Sequence, residues 1–368
     1  MVTPSFFPIK GGTETVVKNL SVGLNRIGIH TDVMTYNMEQ KWRPVSRGET
    51  QNVFGLKVFK IPGLNWFPIE HSDRITSRIN LIPGRFRGLF KNYDVIHFHD
   101  GGDLSFPFFS FLTRKPKILH LHGLNLDYYQ RYFLGKFILK NVANLYIPIF
   151  QDISKELVRL GIKERKIKCL PNGIDIDVFR PILKKRSNMV LFVGRIDPLK
   201  GLHVLLKSIR MINRRVHLVI IGPHGWNRSY VSSVLTMVKR MKEYSNLTVT
   251  YLGELQIEKI VRWYQEASVL VRPDTQGASG GLTSLEALAC GTPVIATGND
   301  IVKDGVNGIL VPYNDSTKLA DAIEYLLENE DVRIRLGKEG RLLIEKNYSN
   351  KVIVERLSHI YEKLAKQE

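Results

Sequence analysis

Apolar residues recur along this chain in two alternating rhythms. Short runs rich in Val, Ile and Leu have the length of buried strands: Asp94-Val-Ile-His-Phe-His99, Ile118-Leu-His-Leu-His122, Leu145-Tyr-Ile-Pro-Ile149, Val190 to Val193, Val216-His-Leu-Val-Ile-Ile221, Leu247 to Leu252 and Val269-Leu-Val271. Between them, apolar positions at helical spacing predict crossover helices. Examples are Val16, Val17, Leu20 and Leu24, then Ser154 to Leu160 stopping at Gly161, Leu202 to Ile212, a basic helix through Lys242, and Ile257 to Glu266. Strand and helix alternate in this way through both halves, which predicts an α/β chain with doubly wound parallel sheets. The end is helical, over Thr317 to Leu327, Arg333 to Lys346 and Lys351 to Lys366; in the last, Val354, Leu357, Ile360, Tyr361 and Leu364 share one face.

A chain of 368 residues exceeds what one hydrophobic core usually organises, and 43% apolar content is ample for two. The polar stretch after Pro181 places the division there. It predicts an N-terminal Rossmann-like domain over 1–180, a second over 181–345, and a terminal helix over 346–368. The strongly apolar run Leu104 to Leu112 is about half of what a spanning helix needs and contains Pro107. No secretory signal is recognisable, and Cys169 and Cys290 are too few for a disulfide framework, so a cytoplasmic protein is expected.

Chemistry concentrates where strands end. Arg272-Pro-Asp-Thr-Gln-Gly-Ala-Ser-Gly-Gly-Leu-Thr-Ser-Leu-Glu286 reads as strand end, glycine loop and helix start. Unpaired N–H groups there, beside the positive end of the helix dipole, suit a phosphate. An ordinary βα turn would use Gly277, Gly280 and Gly281 for close packing alone. A second strand runs into Gly194-Arg195-Ile-Asp-Pro-Leu-Lys200-Gly201, and its two cations can address one anion, each charge-assisted bond contributing about 1.5–3 kcal/mol. As surface charges they would contribute almost nothing.

With these segments in hand, the chain resembles the retaining glycosyltransferases of family 4, which have the GT-B fold: two doubly wound Rossmann-like domains facing a central cleft. The resemblance also rests on Gly11-Gly12-Thr-Glu14, His120-Leu-His122-Gly123, Leu170-Pro-Asn172-Gly173-Ile-Asp175 with Phe179-Arg-Pro181, and Asp304-Gly305-Val-Asn307-Gly308, and it covers nearly the whole chain. It implies a hexosyltransferase that moves a sugar, with retention, from a nucleotide-sugar donor to a glycan or lipid-linked acceptor, with no required metal or other cofactor. By the same resemblance the last helix crosses back onto the first domain. Relatives carry a strand just before the glycine pair, so a start several residues upstream, with Met1 internal, is expected.

The resemblance also assigns roles. Arg195 and Lys200 match the cations that neutralise the diphosphate, and Gly281, Leu282 and Thr283 match its backbone donors. Glu286 matches the carboxylate on the ribose hydroxyls. Gly11 and Gly12 match the loop beneath the donor phosphate and the acceptor, and His122 the histidine that hydrogen-bonds the donor sugar. One departure stands out. The family usually has a second glutamate eight positions before Glu286, contacting the donor sugar, and here that position is Ala278; Asp274 is a candidate substitute. A metal site at His97, His99, His120 and His122 is an alternative reading, but no Cys, Asp or Glu cluster completes it, and the other three histidines are assigned to packing or to supporting His122.

The net charge of +18 adds a partner. Residues 1–180 carry 26 Lys or Arg against 15 Asp or Glu. The basic, aromatic stretches Arg85 to Lys91 and Tyr128 to Lys140 suit an anionic membrane surface, consistent with a peripheral location on the inner face of the membrane; a solvated helix face is the plainer alternative. No nucleic-acid motif accompanies the charge, so no nucleic-acid partner is expected. Two further functions stay open: a noncatalytic nucleotide- or glycan-binding protein, for which Ala278 speaks, and a sugar-nucleotide epimerase on the same fold.

Overall fold

The computed structural model describes residues 1–9, 11–39, 43–44, 48–62, 88–99, 113–123, 133–182, 185–276, 281–298 and 301–366. The chain forms two compact units, Met1–Gly173 with Asn350–Glu368, and Ile174–Ser349.

The first unit is built on β1 (Val2–Thr3), β2 (Val33–Glu39), β3 (Arg43–Pro44), β4 (Glu49–Val53), β5 (Leu56–Pro62), β6 (Ile96–His99), β7 (Lys117–Leu121) and β8 (Leu145–Pro148). Their order is β4-β5-β2-β1-β6-β7-β8, with β3 paired to β2. Pairing is parallel from β5 through β8, so both sheet faces need helical cover and the strands read as continuous apolar runs. Phe98, Ile118, Leu119 and Tyr146 are fully buried there. The antiparallel hairpin β4–β5 at one edge is an addition to the parallel scheme expected from the sequence. Its buried Leu56, Val58 and Ile61 were interrupted by Lys60, which is itself buried and reaches Glu49 at 3.4 Å. The helix Gly12–Arg26 follows β1, and the last helix, Asn350–Ala365, packs on it, Val354 occupying the space that a Cβ on Gly23 would need.

In the second unit, β9 (Met189–Val193), β10 (Val216–Ile221), β11 (Leu247–Tyr251), β12 (Val269–Arg272), β13 (Val294–Thr297) and β14 (Gly308–Val311) form an all-parallel sheet ordered β11-β10-β9-β12-β13-β14. One core, around Phe192, Leu205, Leu218 and Ile323, lies on one face, and another, around Leu191, Tyr264, Leu285 and Ala287, on the other. The order reverses between β9 and β12, the topological switch point where α/β sheets place ligands beyond the strand carboxyl ends.

The units divide at 173/174, ahead of the boundary at 180/181 read from the polar stretch. Ile174 donates its N–H to the Tyr348 carbonyl at 2.8 Å, and Phe179 is buried against Tyr264, so this apolar segment joins the second core before the polar residues begin.

Candidate functional site

Both cation-bearing and glycine-bearing turns of the second unit sit at this switch point. After β9, the chain makes a short 3-10 turn over Pro198–Lys200, capped by Asp197, whose carboxylate accepts the Leu199 N–H at 3.0 Å. Gly201 closes the turn at φ 65°, and a Cβ there would collide with the Pro273 carbonyl oxygen, so glycine is required twice over. The turn is fastened to the segment after β12: Thr275 donates its N–H to the Leu199 carbonyl at 3.0 Å and its hydroxyl to the Pro198 carbonyl at 3.2 Å.

Arg195 is half exposed, 3.8 Å from Asp197. Lys200 lies deeper, with Nζ 3.6 Å from Asp274 Oδ1. Burial lowers the Lys200 pKa, Asp274 opposes that, and the nearby Arg272 and Arg195 charges add to the lowering. Asp274 is buried and also meets Arg272 Nε at 2.9 Å, while Arg272 donates to Ser284 Oγ at 3.3 Å in the first turn of the helix Leu282–Ala289. This continuous chain of contacts, Lys200 to Asp274 to Arg272 to Ser284, brings the ammonium and the helix N-terminus to one end of the sheet. It also removes Asp274 as a substitute for the missing glutamate, because its carboxylate is enclosed between two cations. Gly277, Ala278 and Gly280 lie outside the described residues.

Gly281, at φ 59°, caps that helix, and Leu282 and Thr283 are its first two residues, so their N–H groups lack intrahelical acceptors. Glu286, one turn on, is half-buried and accepts the Tyr264 hydroxyl at 2.5 Å. Burial pushes its pKa up to about 7, against the lowering effect of the tyrosine donor. At the far end of the helix, Lys185 donates to the Cys290 carbonyl at 3.2 Å and Arg341 to the Ala289 carbonyl at 2.8 Å. These cations complement the helix dipole and fix the helix in place.

In the first unit, Gly11 caps the helix that starts at Gly12. Its φ of −166° is open to any residue, but a Cβ would collide with the buried carboxylate of Glu14, which Ser5 Oγ also contacts. His122 lies just past β7, half-buried, its Nε2 3.0 Å from His99 Nδ1, and burial lowers its pKa to about 4. His97, His99 and His120 are buried and held neutral, burial lowering each well below the usual range. The pattern that exposed this cluster, alternate histidines on two strands, gave no hint of its end: Tyr361 of the last helix lies with its hydroxyl 2.6 Å from His97 Nδ1. Nitrogens of His97, His99 and His120 come within 4.8 Å of one another. The rings of His97 and His99 stack at 4.3 Å and 21°, while His97 and His120 meet edge to edge, His120 Nδ1 lying 3.2 Å from His97 Nε2.

Comparison with known proteins identifies the family. The model for glycosyl transferases group 1 matches residues 174–343, and that for glycosyltransferase family 4 matches residues 10–178, together nearly the whole chain. The chain belongs to the group 1 glycosyltransferases. Similar curated proteins include a D-inositol 3-phosphate glycosyltransferase of Xylanimonas cellulosilytica, 24% identical over 90% of this chain and 87% of that one. A phosphatidyl-myo-inositol mannosyltransferase of Mycobacterium tuberculosis is 24% identical over 99% of this chain and 96% of that one. Among solved structures, Anabaena HepE in complex with UDP and glucose superposes with a TM-score of 0.77 at 17% identity, over 98% of this chain and 99% of that one. Sucrose-phosphate synthase from Thermosynechococcus elongatus gives 0.76 at 22% identity, over 100% and 99%. The fold of this group 1 glycosyltransferase is GT-B.

Proposed function

We propose that this glycosyltransferase is a retaining hexosyltransferase that takes a sugar from a nucleotide-sugar donor and delivers it to a glycan or lipid-linked acceptor. The observation that carries the reading is the fastening of Lys200 to the N-terminus of the Glu286 helix through Asp274, Arg272 and Ser284. As the glycosidic bond breaks, negative charge grows on the departing diphosphate. On this reading Lys200 and the N–H groups of Gly281, Leu282 and Thr283 meet that charge from fixed positions, with the half-exposed Arg195 as a second cation, and so lower the barrier. Glu286 would accept from the ribose hydroxyls; those bonds favour the carboxylate and draw its pKa down from about 7. Gly11, Gly12 and His122 serve the sugar and the acceptor.

A HepE complex holds UDP-glucose, and the two curated relatives are named for inositol-containing acceptors, which supports a nucleotide-sugar donor and a polar headgroup acceptor. Work at the cytoplasmic face of an anionic membrane is part of the proposal, supported by the basic first half and by Lys136, Phe137 and Lys140, exposed on the helix Phe133–Val142. Among the described residues no helix is long and apolar enough to cross a membrane. A thermal-shift screen against UDP, GDP, ADP and their sugars, repeated with Arg195→Ala, tests the donor site. Stabilisation of the wild type and its loss in the variant are expected; no stabilisation by any of them would refute the reading. Ala278 favours a second reading, nucleotide or glycan binding without turnover, which would show as stabilisation with no donor consumption.

A further inference from the structure

We propose that His99 is a positioning residue that holds His122 in the tautomer protonated at Nε2, so that His122 offers a bare Nδ1 to a hydroxyl of the donor sugar. The argument begins at a sulfur. His99 Nε2 lies 3.2 Å from Met1 Sδ, and Ser21 Oγ donates to the same sulfur from 3.3 Å. A thioether has no hydrogen to give, so the only bonding arrangement has the proton on His99 Nε2. A neutral imidazole carries one proton, and burial of His99 keeps the ring neutral. Its Nδ1 is therefore an acceptor, and the partner facing it at 3.0 Å is His122 Nε2, which must donate. His122 is neutral too, so its remaining nitrogen, Nδ1, has a lone pair and no hydrogen.

The other two histidines pack against this pair. His97 stacks on His99 at 4.3 Å and His120 on His122 at 4.5 Å, with interplanar angles of 21° and 19°. His97 is tied in turn to the Tyr361 hydroxyl at 2.6 Å and to His120 Nδ1 at 3.2 Å. A half-turn of either ring about its Cβ–Cγ bond would keep the stack but lose the contact between His99 and His122, so the hydrogen bonds and not the stacking set the orientation. The consequence is selective. A nitrogen that only accepts rewards a ligand hydroxyl and gives nothing to a deoxy or fluoro position, whereas a protonated Nδ1 would accommodate a fluorine or a carbonyl oxygen.

The contact with sugar rests on the proposed donor reading, but the tautomer does not, and the test separates them. Long-range nitrogen–proton correlation NMR on protein labelled at histidine, with Asn in place of His122 to assign its signals, reads the protonation of each ring nitrogen directly and needs no nucleotide. The wild type should show His122 protonated at Nε2 and bare at Nδ1. His99→Phe, which keeps a ring but removes the acceptor, should mix or invert that tautomer, and His99→Asn, whose Oδ1 falls near the place of Nδ1, should retain it. A wild-type His122 protonated at Nδ1 would overturn the proposal even if His99→Phe failed to fold, and so would an unchanged His122 tautomer in folded His99→Phe. For the nucleotide sugar that the wild type binds, His99→Phe should weaken affinity about 3- to 10-fold while free nucleoside diphosphate binds within about twofold of wild type. A tautomer switch with unchanged sugar affinity would overturn the assignment of Nδ1 to the sugar.

Discussion

Replacing Lys200 with methionine keeps the aliphatic stem and removes only the ammonium. In the free protein that ammonium is about one quarter exposed and 3.6 Å from Asp274, which keeps its closer partner, Arg272 Nε at 2.9 Å, after the change. The loss of folding stability should therefore be small, about 1 kcal/mol or less. Binding should respond differently, because on the proposed reading the ammonium bonds the diphosphate, and a charge-assisted hydrogen bond contributes about 1.5–3 kcal/mol. At about 1.4 kcal/mol per tenfold, the affinity for whichever of UDP, GDP or ADP the wild type binds should fall roughly 10- to 150-fold. Asp274→Ala supplies the contrast: it removes the carboxylate that Arg272, 4% exposed, meets at 2.9 Å, and breaking such a buried pair costs about 3–5 kcal/mol of stability. Isothermal titration of Lys200→Met, beside denaturant unfolding of both variants, reads the two effects separately. Diphosphate affinity within twofold of wild type in Lys200→Met would rule out an ammonium contact with the diphosphate, and a stability loss equal to that of Asp274→Ala would assign the ammonium to the fold instead.

Glu286→Gln should stabilise the protein at alkaline pH while weakening nucleotide binding. With a folded pKa of about 7 against 4.5, the Glu286 contribution is fully present below about pH 4.5 and is lost as pH rises through 7, a span of up to about 3 kcal/mol, so the variant should melt higher than wild type at pH 8 and show no such gain at about pH 4. Gly201→Ala, at φ 65° and against the Pro273 carbonyl, should lower the urea midpoint by the equivalent of about 1–3 kcal/mol. Tyr361→Phe removes the hydroxyl beside His97 Nδ1 and should cost about 1–3 kcal/mol, read by urea unfolding.

Legibility in the sequence followed the range of the interactions involved. Local pattern located the helix Ile257–Glu266 and the strand Val216–Ile221 to the residue, because a helix's buried face repeats within a few positions and a strand covered on both faces reads as one apolar run. The β4–β5 hairpin was not legible: Lys60 breaks the apolar run, and only its pairing with Glu49 across the hairpin accounts for its burial. At the site, the cations and the glycine loop could be read from strand ends. The enclosure of Asp274 could not, since it depends on Lys200, 74 positions away along the chain, as well as on Arg272 at 2.9 Å. The union of Tyr361 with His97 spans 264 positions, and at the sequence level that tyrosine was one more apolar residue on a helix face.

On the proposed reading Arg195 and Lys200 stabilise the diphosphate as it leaves. The rate at which nucleoside diphosphate is released from the donor sugar that the wild type consumes, with acceptor present, measures this for the wild type and for Arg195→Ala combined with Lys200→Met. Loss of at least about a hundredfold in a folded double variant is the expected result, from two charge-assisted bonds of about 1.5–3 kcal/mol each. Release at the wild-type rate would contradict the account.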